Sequence, residues 1–261
     1  MTGVRSSLSI TLAVWRAVFL REAIDRLFDM RAAWFWLLME PVLHIAFLGF
    51  VFGVIRMRSA GGMDIVLWIM LGMLAFFLFR RTAVQVMYAP ESNQPLFVYR
   101  QVKPFDTAIA RAGLEAFLMG LVSLVIFSGA ALMGHDTFPA DPLLAMLAAL
   151  GLWLFGLGYG LIASVLMALA PEMEHILKLL MMPLYIISGV IWPLASIPQP
   201  WRDWLMLNPI AHGLELVRAG FFPHYHAATG VDAGYLYAWS LGSVLLGLML
   251  YRRFARELVM Q

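Results

Sequence analysis

The sequence of 261 residues contains no cysteine, and charged residues make up only 13% of it. The absence of cysteine excludes disulfide bonds, thiolate catalysis and cysteine-ligated zinc or iron–sulfur sites. The low charge excludes an ordinary soluble domain, because 62% apolar residues and a mean hydropathy of +0.82 leave too little polar surface to face water.

A nucleotide-binding loop is also absent from the sequence. The two lysines, Lys103 and Lys178, are not preceded by the glycines of the G-x-x-x-x-G-K-[ST] pattern that cradles phosphates. A catalytic motif such as H-E-x-x-H is missing as well. We therefore predict a chain with no catalytic residues and no cofactor of its own, which takes its energy from another component.

Long apolar runs dominate what remains. Six of them reach about 17 residues or more, which is the length at which a helix crosses a hydrocarbon core of roughly 30 Å. The predicted spans are 34–55, 63–79, 116–134, 143–170, 176–192 and 235–251. The sequence therefore predicts an all-α integral membrane protein, with a transmembrane domain of six helices over 34–261 and no second core of ordinary size.

Positive charge is distributed unequally between the two sides of these spans. If both termini lie in the cytoplasm, only four of the 18 Lys and Arg residues fall on the opposite side. Those four are Arg56, Arg58, Arg202 and Arg218. The bias follows the positive-inside rule, so we predict a multi-pass protein with cytoplasmic termini. The same rule accounts for the basic character of the chain without a nucleic-acid partner.

Residues 1–33 have the pattern of an amphipathic helix. Apolar residues recur at intervals of three and four, whereas Glu22 and Asp25 fall on the other side. The apolar positions are Ile10, Ala13, Ala17, Leu20, Ile24 and Leu27. We predict a helix that lies along the cytoplasmic lipid interface, with a helix packed on a partner protein as the alternative.

Three prolines interrupt the segment 89–104 and exclude a long helix there. They are Pro90, Pro95 and Pro104. Between them, a short helix or turn that exposes Leu96, Phe97 and Tyr99 would fit a groove on a soluble partner. The alternative is a loop that folds back onto its own bundle.

The segment 193–230 is too apolar for a free loop, and Asn208-Pro209 divides it into pieces too short to cross a membrane. We predict a re-entrant pair of half-helices in the outer leaflet before the last span. Glu215 and Arg218 are three residues apart and are predicted to pair with each other. Three tryptophans are predicted to lie at head-group level, namely Trp192, Trp201 and Trp204.

Two pairs of polar residues four apart lie in or beside the spans. We predict a hydrogen bond between Glu40 and His44, with proton sharing or substrate contact as the alternative. Arg111 and Glu115 are predicted to form a structural ion pair. Three histidines near the last span lack carboxylates or cysteines at ligand spacing, so no metal site is predicted. They are His212, His224 and His226.

Arginines and aromatic residues near the end of the second span are candidates for a substrate path. Arg80 and Arg81 could bind a carboxylate or a phosphate, or could instead anchor the span to head groups by snorkelling. Phe76 and Phe79 could line a channel, with packing or lipid contact as the favoured alternative. The full set of predicted path residues is Phe76, Phe79, Arg80, Arg81, Glu40 and His44.

Three stretches of the sequence resemble a known family. They are QVKPFDTAIARAGLE at 101–115, SGVIWP at 188–193 and NPIAHGLELVRAGFF at 208–222. Together they are similar to the KpsM-like permease subunits of capsular polysaccharide exporters, a branch of the type-2 ABC transporter family. The resemblance extends from the interfacial helix to the last span.

The resemblance implies a homodimer that works with two separate cytoplasmic ATPase chains. Those chains would bind ATP and Mg and drive a lipid-linked acidic polysaccharide outward across the bacterial inner membrane. A periplasmic adaptor of the polysaccharide co-polymerase type and an outer-membrane export channel are implied as further partners. A permease for O-antigen, teichoic acid or a lipophilic drug is the first alternative. A stand-alone secondary transporter is the second, although the spans show no carboxylate or histidine relay.

By the same resemblance, 89–104 is the coupling segment that contacts the ATPase, and the loop at 172–175 is a second, smaller contact. The coupling residues implied are Pro95, Leu96, Phe97, Tyr99, Arg100, Lys103, Glu172 and Glu174.

Overall fold

The computed structural model describes residues 7–28, 33–54, 59–60 and 63–260, and most of them are helical. The helices are α1 (Ser7–Phe28), α2 (Ala33–Val54), α3 (Ile65–Met87), α4 (Ala89–Ser92), α5 (Pro104–Leu132), α6 (Pro142–Leu169), α7 (Met173–Ile187), α8 (Trp201–Leu205), α9 (Pro209–Phe221) and α10 (Ala233–Arg253). Two short strands, β1 (Ser59–Ala60) and β2 (Met63–Asp64), pair antiparallel before α3. The predicted helical fold is confirmed, with this hairpin as its one addition in the described residues.

Five helices of the described residues are long and apolar enough to cross a membrane. They are Trp34–Phe52, Ile65–Met87, Pro104–Leu132, Pro142–Leu169 and Ala233–Arg253. The fifth predicted span, 176–192, overlaps α7, whose 15 residues extend only about 22 Å as helix. The helix ends because Gly189 adopts a positive φ of 76°, which turns the chain away from the helix axis.

The helix α3 lies at the centre of the bundle, where it packs against α2, α5, α6 and α9. Its contact with α6 depends on small residues. A Cβ on Gly156 would lie 2.7 Å from the backbone oxygen of Phe79, and a Cβ on Gly160 would lie 2.7 Å from that of Ala83. Alanine at either position would therefore push the two helices apart.

The N-terminal helix α1 lies along the first half of α5. Nε1 of Trp15 donates a 2.7 Å hydrogen bond to Oδ1 of Asp106, and Glu22 is buried against the bundle. The apolar side chains of Leu20 and Ile24 are exposed on the opposite side of α1. A helix is therefore confirmed over residues 7–28, with Glu22 facing the bundle, whereas its position along a lipid interface stays a prediction. Residues 1–6 and 29–32 of the predicted helix lie outside the described part.

The coupling segment, defined as residues 89–104, consists of α4 and a 3₁₀ turn over Gln94–Val98. The prediction of a short helix or turn is confirmed. Val98 and Tyr99 are 82% and 66% exposed, but Leu96 and Phe97 are half-buried against the rest of the chain. The exposed apolar surface is therefore centred on Val98 and Tyr99 and displaced from Leu96 and Phe97 toward α5.

The segment before the last span forms the two short helices α8 and α9, which meet at Asn208. Oδ1 of Asn208 accepts a 3.0 Å hydrogen bond from the amide of Ile210 and caps α9. Nδ2 of the same side chain donates a 2.8 Å bond to Oγ of Ser188, just after α7. The helix α9 is buried against α3 and α6, whereas Trp201 and Trp204 of α8 are exposed.

Candidate functional site: a charged cavity beside the N-terminal helix

A cavity of about 690 Å³ lies where α1, α2, the end of α3 and α4 meet. We call it the charged cavity, because arginines and carboxylates form much of its wall. The arginines are Arg21, Arg26, Arg81 and Arg111, and the carboxylates are Glu22, Asp25 and Glu40. Trp36 and Leu37, on the first turn of α2, add an apolar wall.

Glu40 binds two arginines of α3. Its Oε1 accepts a 2.7 Å hydrogen bond from Nη2 of Arg80, and its Oε2 accepts a 2.6 Å bond from Nη2 of Arg81. The predicted Glu40–His44 hydrogen bond is therefore wrong, and Nε2 of His44 instead lies 3.1 Å from the hydroxyl of Tyr185 on α7. The reason is that charge-assisted bonds from two guanidiniums are stronger than a bond from one neutral imidazole.

Arg81 and Arg80 differ in how they meet their surroundings. The Arg80 guanidinium is partly exposed and lies 5.0 Å from the centre of the Phe77 ring. The side chain of Arg81 is only 12% exposed, and its Nη1 is buried without a hydrogen-bond partner among the described residues. Arg81 therefore donates to Glu40 through Nη2 and has no acceptor for Nη1 among the described residues.

Glu22 connects α1 to the coupling segment. Its Oε1 accepts a 2.7 Å hydrogen bond from Nδ2 of Asn93 and lies 3.0 Å from Nε of Arg111. Oδ1 of Asn93 accepts a bond from Arg21, and its Nδ2 also donates 3.0 Å to the backbone oxygen of Ala89. A single buried amide thus joins the N-terminal helix to α4.

One turn further along α1, Nη2 of Arg26 lies 2.6 Å from Oε1 of the fully buried Glu115. The predicted Arg111–Glu115 pair is therefore wrong. Each of those residues pairs across to α1, because α1 places Glu22 and Arg26 one turn apart opposite them. Burial lowers the pKa of Arg26 from its ordinary value, and the facing carboxylate of Glu115 opposes that shift.

The loop before α7 approaches the same end of the bundle. The hydroxyl of Tyr88, beside the coupling segment, donates a 2.7 Å hydrogen bond to Oε1 of Glu174. Nζ of Lys178 donates a 2.6 Å bond to the same atom, and these two bonds lower the pKa of Glu174 from its ordinary value. Glu172 is exposed nearby in sequence. The two contacts that the resemblance assigns to an ATPase therefore share one end of the molecule.

Phe76 and Phe79 are fully buried, so they do not line an open path in this conformation. Phe79 stacks on Phe155 of α6 at 5.4 Å, and Phe76 meets the edge of Tyr185 at 5.2 Å. Phe76 and Phe79 therefore pack inside the bundle, as the alternative prediction has it, and do not line a path in this structure. The fully buried centre of α3 leaves no space for a polymer beside them.

A second polar cluster lies around α9 and contains the predicted Glu215–Arg218 pair, which is confirmed. Nη1 of Arg218 lies 3.1 Å from Oε1 of Glu215, and its Nη2 donates 3.0 Å to the backbone oxygen of Gly189. The guanidinium also lies 3.7 Å above the ring of Trp68 on α3. A Cβ on Gly72 would overlap this guanidinium, so α3 requires glycine there.

The carboxylate of Glu215 has two further partners in the turn before α10. The hydroxyl of Tyr225 donates 2.9 Å to Oε1, and the amide of Ala228 donates 2.9 Å to Oε2. Burial raises the pKa of Tyr225 to about 12. Sequence reasoning missed Trp68, Gly72 and Tyr225, and the available signal was that an ion pair within hydrocarbon needs polar and aromatic partners.

Both ring nitrogens of His212 form hydrogen bonds with backbone groups. Its Nε2 donates 2.7 Å to the oxygen of Met206, and its Nδ1 accepts 2.9 Å from the amide of Asp232. His212 therefore joins α8, α9 and the start of α10 and has no lone pair left for a metal. Three or more metal-ligating side chains do not cluster anywhere in the described ranges.

Comparison with known proteins identifies the class. Residues 13–222 match the family model described as ABC-2 type transporter. The chain belongs to this family of membrane transporters, which agrees with its apolar spans and its buried polar clusters.

The relatives are more specific. The chain is 34% identical to the polysialic acid transport protein KpsM of Escherichia coli, over 95% of this chain and 96% of that protein. It is 29% identical to the capsule polysaccharide export inner-membrane protein CtrC of Neisseria meningitidis serogroup A, over 98% of this chain and 96% of the relative. The capsule polysaccharide export inner-membrane protein BexB of Haemophilus influenzae is 24% identical, over 98% of this chain and 96% of that protein.

Proposed function

We propose that this chain is the membrane permease of an ATP-driven exporter that carries lipid-linked acidic capsular polysaccharide across the bacterial inner membrane. The observation that carries the proposal is the 34% identity to a polysialic acid transport protein over nearly the whole of both chains. Two further relatives named for capsule polysaccharide export match over equal lengths. These names favour capsular cargo over O-antigen, teichoic acid, a lipophilic drug or the substrate of a stand-alone transporter.

The proposed arrangement in the membrane has six spans with both termini in the cytoplasm. The helix α7 and the turn that follows it to Trp192 would together form the fifth span. The helices α8 and α9 would re-enter the outer leaflet, a position supported by the buried α9 and the exposed Trp201 and Trp204. The buried Glu215–Arg218 pair would hold this re-entrant pair against α3.

The proposed energy source is a pair of cytoplasmic ATPase chains that bind ATP and Mg. The exposed surface at Val98 and Tyr99, with Arg100, Lys103 and the 172–175 loop, would contact them. Since Asn93 joins the coupling segment to Glu22, movement of that segment would carry α1 with it. Two copies of the permease would enclose the path, and a periplasmic adaptor and an outer-membrane channel would continue it.

Arg80, Arg81, Glu40 and His44 are the proposed path residues of this chain. They lie between α2 and its neighbours α3 and α7, and Arg80 and Glu40 are partly exposed. A guanidinium suits a carboxylate or phosphate of the cargo because it donates two parallel hydrogen bonds.

Deletion and reconstitution test the proposal together. Deleting the gene from an encapsulated host should abolish surface polysaccharide and cause it to accumulate inside the cell, and a plasmid copy should restore the surface material. Vesicles that contain this chain alone should move no polysaccharide with ATP, whereas vesicles that also contain the ATPase should do so. Normal encapsulation of the deletion strain would overturn the proposal.

A further inference from the structure

Two arginines that line the charged cavity have N–H groups without an acceptor. Nη1 of Arg81 is buried and has no hydrogen-bond partner in the described part of the chain, and Nε of Arg21 is buried without a hydrogen bond, with the Asp25 carboxylate 3.7 Å away. A buried donor that lacks an acceptor destabilises the folded protein, and native structures contain few of them. An acceptor from outside the chain would satisfy both groups.

Among the residues that the structure describes, the charges around the cavity do not cancel. Five arginines face four carboxylates, and every one of those carboxylates already lies within 4 Å of a guanidinium. The arginines are Arg21, Arg26, Arg80, Arg81 and Arg111, and the carboxylates are Glu22, Asp25, Glu40 and Glu115. The remaining positive charge, in a partly dry site, favours an anion as the missing acceptor.

The helix α2 provides an apolar surface that starts at the cavity. Five large side chains on it are more than half exposed, and four of them share one side, namely Trp36, Leu43, Phe47 and Phe50. With Glu40 they recur at intervals of three and four, so they form one stripe along α2 that leads away from the arginines. In a membrane span, such a stripe contacts hydrocarbon. A ligand with an anionic head and acyl chains matches the cavity and the stripe together.

We propose that the charged cavity binds the phosphate group of a membrane lipid, with Arg81 and Arg21 as its ligands and the acyl chains along α2. The phosphate can belong to a bulk phospholipid or to the lipid linker of the cargo, since both present the same oxygens to a guanidinium. Assignment to the linker rests on the proposed function, whereas binding of a phospholipid does not.

Native mass spectrometry of the detergent-solubilised chain with phosphatidylglycerol tests the site. Arg81→Gln should lower the lipid affinity roughly tenfold, the effect of losing one charge-assisted hydrogen bond. Glu40→Gln should raise the affinity several-fold, because it frees Arg81 from its carboxylate. Arg253→Gln, a change of an exposed arginine at the end of α10 and outside the cavity, should leave binding unchanged. Diacylglycerol, which lacks the phosphate, should bind at least tenfold more weakly than phosphatidylglycerol to the unmodified chain.

The opposite directions of the two cavity variants distinguish a ligand from a structural role. If Arg81→Gln fails to fold, Glu40→Gln still decides, and unchanged or weaker binding by that variant would overturn the proposal. Equal binding of phosphatidylglycerol and diacylglycerol would overturn it as well.

Surface polysaccharide in cells that express Arg81→Gln at normal abundance identifies the source of the phosphate. Lower export together with weaker lipid binding would assign the site to the cargo linker, and normal export with weaker binding would assign it to bulk phospholipid. A failure of the proposed export function would appear in the unmodified chain and would leave the binding result intact.

Discussion

Asn93 in the coupling segment and Glu22 in α1 are both buried, and Nδ2 of Asn93 donates a 2.7 Å hydrogen bond to Oε1 of Glu22. The two residues are 71 positions apart in the chain. This hydrogen bond joins the coupling segment to the N-terminal helix α1, so we expect the two to move together.

Replacing Asn93 with Ala should lower the stability of the folded protein. The buried carboxylate of Glu22 would lose a hydrogen bond, at a cost of about 1–3 kcal/mol, and the melting temperature in detergent should fall by a few degrees. Glu91→Ala, a change of an exposed residue two positions earlier in the chain, is the matched control and should melt like the unmodified chain. Equal melting of both variants would show that the amide contributes nothing.

Exchanging the charges of Arg26 and Glu115 tests the pairing across α1 and α5. Each single change, Arg26→Glu or Glu115→Arg, should destabilise the protein by about 3–5 kcal/mol because it leaves a buried charge unpaired. The double variant should recover a large part of that loss in thermal unfolding. The same exchange of Arg111 and Glu115 should show no recovery, and a recovery there would restore the local pair that the sequence predicts.

Gly72→Ala should displace the Arg218 guanidinium from its place on Trp68. We expect lower thermal stability and faster proteolysis of the turn that contains Tyr225. Gly113→Ala is the control, because a Cβ there meets no atom within 4 Å and alanine favours a helix by about 0.5–1 kcal/mol. If both variants behave alike, the close approach at Gly72 has no energetic consequence.

Tyr99→Glu should weaken the contact with the proposed ATPase by placing a charge on the exposed apolar surface of the coupling segment. A pull-down with the ATPase should lose most of the signal while membrane abundance stays normal. Phe138→Glu changes a residue that is also strongly exposed but lies in the loop between α5 and α6, and it should retain the ATPase. Retention by Tyr99→Glu would place the contact elsewhere.

The proposed orientation can be measured with introduced thiols, since the chain has no cysteine of its own. In intact spheroplasts, Asp203→Cys should react with an impermeant maleimide, and Val98→Cys should react only after lysis. Both side chains are exposed, so access through the membrane is the variable that differs. Reaction of Val98→Cys in intact spheroplasts would show that the proposed orientation is inverted.

Hydropathy and run length were sufficient to predict five of the spans, because burial in lipid demands long apolar helices whatever their packing. The fifth run was less informative, since Gly189 ends α7 early while the apolar composition continues to Trp192. Composition does not distinguish a helix from a buried turn.

Polar partners were predicted correctly only where the partner lies on the same short helix. Glu215 and Arg218 both lie on the buried α9, so the local pair was available. Glu40 and Glu115 instead pair with arginines on other helices, Arg81 and Arg26 among them. Spacing along one helix cannot show which charges a neighbouring helix will present.

The pairing of α1 with α5 has a consequence for how the N-terminal helix can move. Glu22 faces Arg111 and Arg26 faces Glu115, so the negative residue comes first along α1 and the positive residue comes first along α5. A slide of one turn either way would bring Glu22 beside Glu115 or Arg26 beside Arg111, and like charges would meet in a poorly hydrated seam. Charge repulsion therefore opposes translation of α1 along its own axis, and tilting or lifting away from α5 are the motions that avoid it.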